Sequence, residues 1–407
     1  MRRSDPGYSS GVSRRHILAS GALAAGAAGL GWGTRDVVAR ANDVDTAQGS
    51  STVPFYGEHQ AGIATPPQAW GTFVAFDLPS QAQRGDVVGV LTAWTEDAAR
   101  LTQGKPGLAD LEPELAANPS RLTVTIGLGP RVFAVTGTEQ HRPPWIAPLP
   151  SFDIDELDEK FTGGDLLLQV CADDPVPMAH AIRVLSRSVK TRATVRWVQR
   201  GFRDARGSVP EGATMRNLMG QVDGTNNLSP KEPDFGRLVW HNSTQYAWLN
   251  GGTSMVVRRI EMELDTWDEL GRNDRELSMG RTLVNGAPLT GKDEHDEPDF
   301  DAKDRFGIPV IPPSSHIARA RALHPDEEFF RRAYNYDDPP SPGQVSNSGL
   351  IFATFQADIE KQFLPIQRRL AEFDVLNEWT TPVGSAVFAI PPGCEQGDFI
   401  GRPLTGL

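Results

Sequence analysis

Residues 165–185 read DLLLQVCADDPVPMAHAIRVL, and residues 349–370 read GLIFATFQADIEKQFLPIQRRL. Each is an apolar run, a short acidic link and an amphipathic segment, and the two lie 184 positions apart counting Leu166 against Leu350. An apolar run of six or seven residues bounded by turn signals reads as a buried strand. Ala181, Ile182, Leu185 and Val189 in the first segment, and Ile359, Phe363, Ile366 and Leu370 in the second, have the spacing of one helix face. The same strand–link–helix order occurring twice predicts a duplicated unit.

The flanking sequence extends both copies. In the first half, 71–78 (GTFVAFDL), 122–128 (LTVTIGL), 165–171 and 193–198 (ATVRWV) read as strands, with helices over 87–101 and 178–189. In the second, 254–264, 349–355 and 385–390 read as strands, with a short helix from Thr266 and another over 357–373. Strand–helix–strand runs with antiparallel-looking pieces predict an α+β fold of duplicated ferredoxin-like units, antiparallel sheets with flanking helices. The expected boundaries are 1–41 for a leader, 42–212 for the N-terminal unit and 213–407 for the C-terminal unit.

The leader rests on composition. Arg14 and Arg15 precede a mildly apolar stretch from Ile17 to Trp32, and Ala39-Arg40-Ala41 offers small residues for cleavage. The paired arginines predict a twin-arginine signal and export to the periplasm, cell surface or medium. That route carries folded proteins, often with a cofactor already inserted. Removing 1–41 takes away six arginines and two aspartates and leaves 34 basic against 50 acidic residues, a balance of −16. So acidic a chain argues against nucleic-acid or anionic-membrane partners. The stretch 17–32 is too short for a confident membrane span. Cys171 and Cys394 are the two cysteines; they form no metal-binding spacing, and their pairing is left open.

Two further stretches carry candidate chemistry. Between Gly271 and Pro313 the chain is rich in Gly, Pro, Asp and Arg and lacks periodicity, as a wrapping loop would. His316 stands at its end, in Ser314-Ser315-His316-Ile317-Ala318-Arg319-Ala320, at an expected helix start. Gly220-Gln221-Val222-Asp223-Gly224-Thr225 places an acid between glycines that allow close backbone approach to a flat group. Arg331-Arg332 precedes Ala333-Tyr334-Asn335-Tyr336; its plainest reading is a cation pair at a helix C-terminus.

These blocks, with PFYGEHQAGI at 54–63, GAPLTG at 286–291 and GLIFATFQADIEKQFLPIQRRL, resemble the dye-decolourising haem peroxidase family from residue 54 to about 390. The resemblance implies two ferredoxin-like halves with haem b in the C-terminal one. It implies reduction of hydrogen peroxide through a ferryl haem and oxidation of dyes, phenols or other organic donors. On it, His316 is the proximal iron ligand, with Asp301, Asp304 or Glu378 as the carboxylate behind it. Asp223 is the distal proton-transfer acid, Arg331 the distal cation with Arg332 as the other position, and Gly224 and Thr225 border the haem. Buried haem implies electron hops through aromatics, for which Tyr334, Tyr336 and Trp379 are candidates. His295, in an acidic loop, is a candidate contact to a haem edge or metal. Gln221-Val222 departs from the aromatic common in the motif, and Ala333 from a common glycine. The expected partners are hydrogen peroxide, organic electron donors and the twin-arginine machinery, and a homo-oligomer is compatible with the chain. Alternatives are a protein that releases iron from haem, as deferrochelatases do, and a non-catalytic haem binder.

Overall fold

The computed structural model describes residues 48–406; the segment read as an export signal lies outside them. Among the described residues nine strands form, β1 Trp70–Asp77, β2 Thr123–Leu128, β3 Leu166–Ala172, β4 Thr194–Phe202, β5 Thr253–Met262, β6 Phe330–Arg331, β7 Tyr334–Asp337, β8 Ser348–Gln356 and β9 Thr380–Ile390. The helices that matter to the site or to the duplicated unit are α1 Arg84–Leu101, α2 Pro175–Ser188, α3 Arg272–Met279, α4 His316–Ala320 and α5 Phe363–Phe373.

All strand pairs are antiparallel, in the order β5-β9-β2-β3-β1-β4-β7-β8-β6, with β5 also paired to β8. Within that order β4-β1-β3-β2 is one four-strand sheet. The other is β9-β5-β8 followed by β7 and β6, which pair with successive stretches of the same β8 edge. In each half the sequence runs strand, helix, strand, strand, helix, strand, and the first and third strands are central. That is the duplicated ferredoxin-like unit the repeat predicted. The two sheets join at Leu128 opposite Ala389 and at Phe202 opposite Asn335.

Alternation along the strands divides the core. On β1, Val74 and Phe76 pack with Val87, Leu91 and Trp94 of α1, while Phe73 and Ala75 face a second cluster with Met255, Val257, Ile351 and Phe388 of the other half. A third cluster, containing Met215, Met219, Met262, Trp267, Met279 and Leu376, covers the second sheet and borders the cavity described below.

Local chemistry moved several expected boundaries. α2 begins at Pro175 because Asp174 accepts the Val176 N–H at 2.7 Å and proline suits the first turn. α5 begins only at Phe363, since Asp358 accepts the N–H groups of Glu360 and Lys361 and holds 358–361 as a turn. β9 extends back to Thr380, and helix α3 interrupts the expected 271–313 loop. Arg331 belongs to a strand, so the helix-end reading of the arginine pair is corrected: Phe330 and Arg331 pair with Phe355 and Thr354 of β8. Cys171 and Cys394 are both free and buried.

Candidate functional site

His316 opens α4 after Ser315, whose extended backbone (ψ 150°) turns the chain into the helix. The Val375 N–H donates to Ser314 O at 2.9 Å, which ties this entry to the end of α5. There Asp374 accepts the Leu376 N–H on Oδ1 at 3.0 Å, and its Oδ2 lies 2.6 Å from His316 Nδ1. A carboxylate only accepts, so Nδ1 carries a proton, and in the neutral ring the lone pair is on Nε2. Burial opposes charge on the ring, but the Asp374 charge and hydrogen bond prevail and raise its pKa. Asp374 therefore replaces the expected candidates Asp301, Asp304 and Glu378. α4 also sits against the end of α3, where Gly280 has φ 84° and a Cβ would come within 2.7 Å of Ile317.

Asp223 follows a tight hairpin in which Arg216 bridges Val222, and its N–H donates to Met215 O at 2.8 Å. Gly220 and Gly224 have φ of 84° and 132°, so both motif glycines occupy backbone regions that side chains disfavour. Asn217 Nδ2 lies 3.3 Å from Asp223 Oδ2, with Asn217 Oδ1 taking the Met219 and Gln221 N–H groups. Beyond Asp223, Thr225 Oγ1 donates to Glu294 Oε1 at 3.0 Å, and Thr214 Oγ1 donates to the same oxygen at 2.5 Å.

Arg331 Nη1 stands 3.5 Å from Asp223 Oδ1. Its neighbour points the other way, as strand alternation requires. Arg332 is fully buried between the sheets, donating to Thr65 O at 2.5 Å and to Gln68 Oε1. Of the two arginines, Arg331 is the one that borders the cavity with Asp223.

His316, Asp374, Asp223, Gly224, Thr225 and Arg331 border one cavity of about 630 Å³. Leu350, Phe352, Ile366 and Leu376 supply apolar wall. The charges of Asp223 and Arg331 act on His316 in opposite senses. His295 stands apart, with a side chain 75 % exposed and 4.0 Å from Glu294. Tyr334 and Tyr336 are wholly buried, and Trp379 meets Trp267 edge-on at 5.3 Å between centroids.

The volume suits a drug-sized or cofactor-sized group. A neutral imidazole backed by a carboxylate is the donor set of a histidine-ligated iron, and Nε2 has no hydrogen-bond partner in the protein among the described residues. The residues therefore fit haem. Sequence reading missed Asp374, Asn217 and Glu294 as parts of the site. Asp374 follows the expected end of α5, but its pairing with His316 crosses 58 positions and no local pattern encodes it.

Residues 60–203 match the sequence profile of the Dyp-type peroxidase N-terminal region, and residues 214–395 that of its C-terminal region. A dye-decolorizing peroxidase of Thermobifida fusca is 35 % identical, with 97 % of each chain covered. A deferrochelatase of Yersinia pestis is 33 % identical over 95 % of this chain and 93 % of that one. The crystal structure of a DyP-type peroxidase from Cellulomonas bogoriensis superposes with a TM-score of 0.86 at 55 % identity, over 88 % of this chain and 99 % of that one. Likeness across both halves, joined to a histidine, an acid and an arginine around one cavity, places this chain in the Dyp-type peroxidase family.

Proposed function

We propose that the cavity holds haem b on His316 Nε2 and that the protein reduces hydrogen peroxide with dyes, phenols or other organic molecules as electron donors. The supporting observation is that His316 and the Asp223–Arg331 pair border the same cavity. Haem iron supplies the redox chemistry when bound. With haem bound, Asp223 would accept a proton from hydrogen peroxide and return it to the departing oxygen, which leaves as water. Arg331 offsets negative charge on that departing oxygen, as a planar and permanently charged donor can. Asp374 keeps the imidazole proton on Nδ1 and strengthens Nε2 as a donor. Gly224 and Thr225 line the same cavity and would border the flat cofactor. The Arg14-Arg15 leader supports export by the twin-arginine machinery, leaving the mature protein outside the cytoplasm.

Rapid mixing of the holoprotein with hydrogen peroxide tests the assignment through the Soret band. Replacing Asp223 with Ala is expected to slow the peroxide reaction by about 10²- to 10⁴-fold while the ferric spectrum stays that of a histidine-ligated haem. An unchanged rate removes Asp223 from proton transfer. The deferrochelatase relatives favour a second task, release of iron from haem; free iron appearing from the holoprotein without peroxide would support it.

A further inference from the structure

Strand β6 is two residues long and lies at one end of the strand order. On one edge it pairs with β8, and the Arg332 N–H donates to Ala353 O at 2.8 Å. The main-chain groups of Arg331 point to the other edge. There they meet a side chain in place of a strand. Asn227 Oδ1 accepts the Arg331 N–H at 2.7 Å, and Asn227 Nδ2 donates to Arg331 O at 2.8 Å.

A primary amide carries one acceptor and a donor pair in a geometry close to that of a peptide unit. Asn227 thus completes the ladder for a single residue. Its own N–H donates to Gly224 O at 3.0 Å, which fastens it to the loop that carries Asp223. The clamp runs from one side of the Asp223–Arg331 pair to the backbone of the other. The two side chains are 3.5 Å apart at Nη1 and Oδ1, longer than a formed hydrogen bond. Their mutual contact is therefore too loose to fix the spacing, and the backbone clamp is the tighter restraint.

We propose that Asn227 is the positioning residue that sets Arg331 against Asp223, with space between them for a small ligand. The proposal rests on the roles given to Asp223 and Arg331 above. Aspartate lacks the donor and glutamine is one carbon too long, so the geometry selects asparagine. The error it prevents is large in effect, since displacement of a catalytic group by about 1 Å costs on the order of 100-fold in rate.

The test uses holoprotein variants Asn227→Ala, Asn227→Asp, Arg331→Leu and Asn227→Ala/Arg331→Leu. Three quantities are read: amide hydrogen exchange at Arg331, fluoride affinity of the ferric protein and the rate of reaction with peroxide. Asn227→Ala is expected to accelerate exchange at Arg331 and to weaken fluoride binding and slow the peroxide reaction by roughly 10- to 100-fold. In the Arg331→Leu background the same change should add less than about twofold, because coupled residues are not additive. Full additivity, or unaltered fluoride affinity in Asn227→Ala, overturns the proposal. If the alanine variant does not fold, Asn227→Asp carries the test: it keeps the acceptor, loses the donor and should show a smaller loss of the same kind, and wild-type behaviour overturns the proposal. If Arg331→Leu leaves the peroxide reaction unchanged, the role of Arg331 falls and the catalytic effect of the clamp falls with it. Exchange at Arg331 distinguishes that result from a clamp that does not form.

Discussion

Asp374 shows how much one carboxylate can hold. One oxygen caps the turn after α5 and the other fixes the His316 tautomer. Asparagine in its place retains an acceptor for one task but carries no charge. Asp374→Asn is expected to reduce haem retention or peroxide reactivity by roughly 10- to 100-fold, read by Soret absorbance after dialysis and by stopped-flow rates. At this scale the residue types of the site were legible: His316, Asp223 and Arg331 were all singled out, and the structure brings them to one cavity. Their supports were not legible. The Asn227 and Asp374 contacts span 104 and 58 positions, and surface acids and amides of the same type are common along the chain.

At the scale of elements, the short helix bearing His316 depends on its neighbours. α4 has five residues, too few to persist alone in water. The segment after it is latched to α5 by Glu327, which accepts the Leu323 N–H and the Arg369 guanidinium, each at 2.9 Å. Burial opposes ionisation of Glu327, but these two donors prevail and hold its carboxyl below the usual glutamate range. A lowered folded pKa contributes stability above the unfolded value and loses it as the pH falls through the folded one. Glu327→Gln is therefore expected to cost about 1–3 kcal/mol at neutral pH in denaturant unfolding. The difference should vanish in acid below the ordinary glutamate range; a constant difference across pH would place the effect elsewhere. Element types were mostly read correctly because alternation and helix spacing are local signals. Misplaced starts, as at Phe363, came from side chains such as Asp358 competing for backbone N–H groups.

For the molecule as a whole, the duplicated unit was legible because strand and helix recur in the same order. The closure of the two sheets on each other was not, since each junction has a single strand pair with no sequence signal of its own. The cysteines, left open by sequence, are buried and unbridged. Dithiothreitol should leave the melting temperature of the purified protein unchanged; a drop of several degrees would reveal a bridge.

The junctions also govern what the chain must avoid. β2 and β4 are the outer strands of the first sheet, and each meets a strand of the second, at Ala389 and Asn335. An open sheet presents rows of unpaired amides that can template association with other chains. Here each border meets the other half at one residue pair, and Ile126 of β2 is capped within its own half by the Gln60 amide, which accepts its N–H at 2.8 Å and donates to its carbonyl at 3.0 Å. A nascent N-terminal half leaves the ribosome before either partner strand exists, and until then a side-chain amide of its own, not a strand, guards the β2 border.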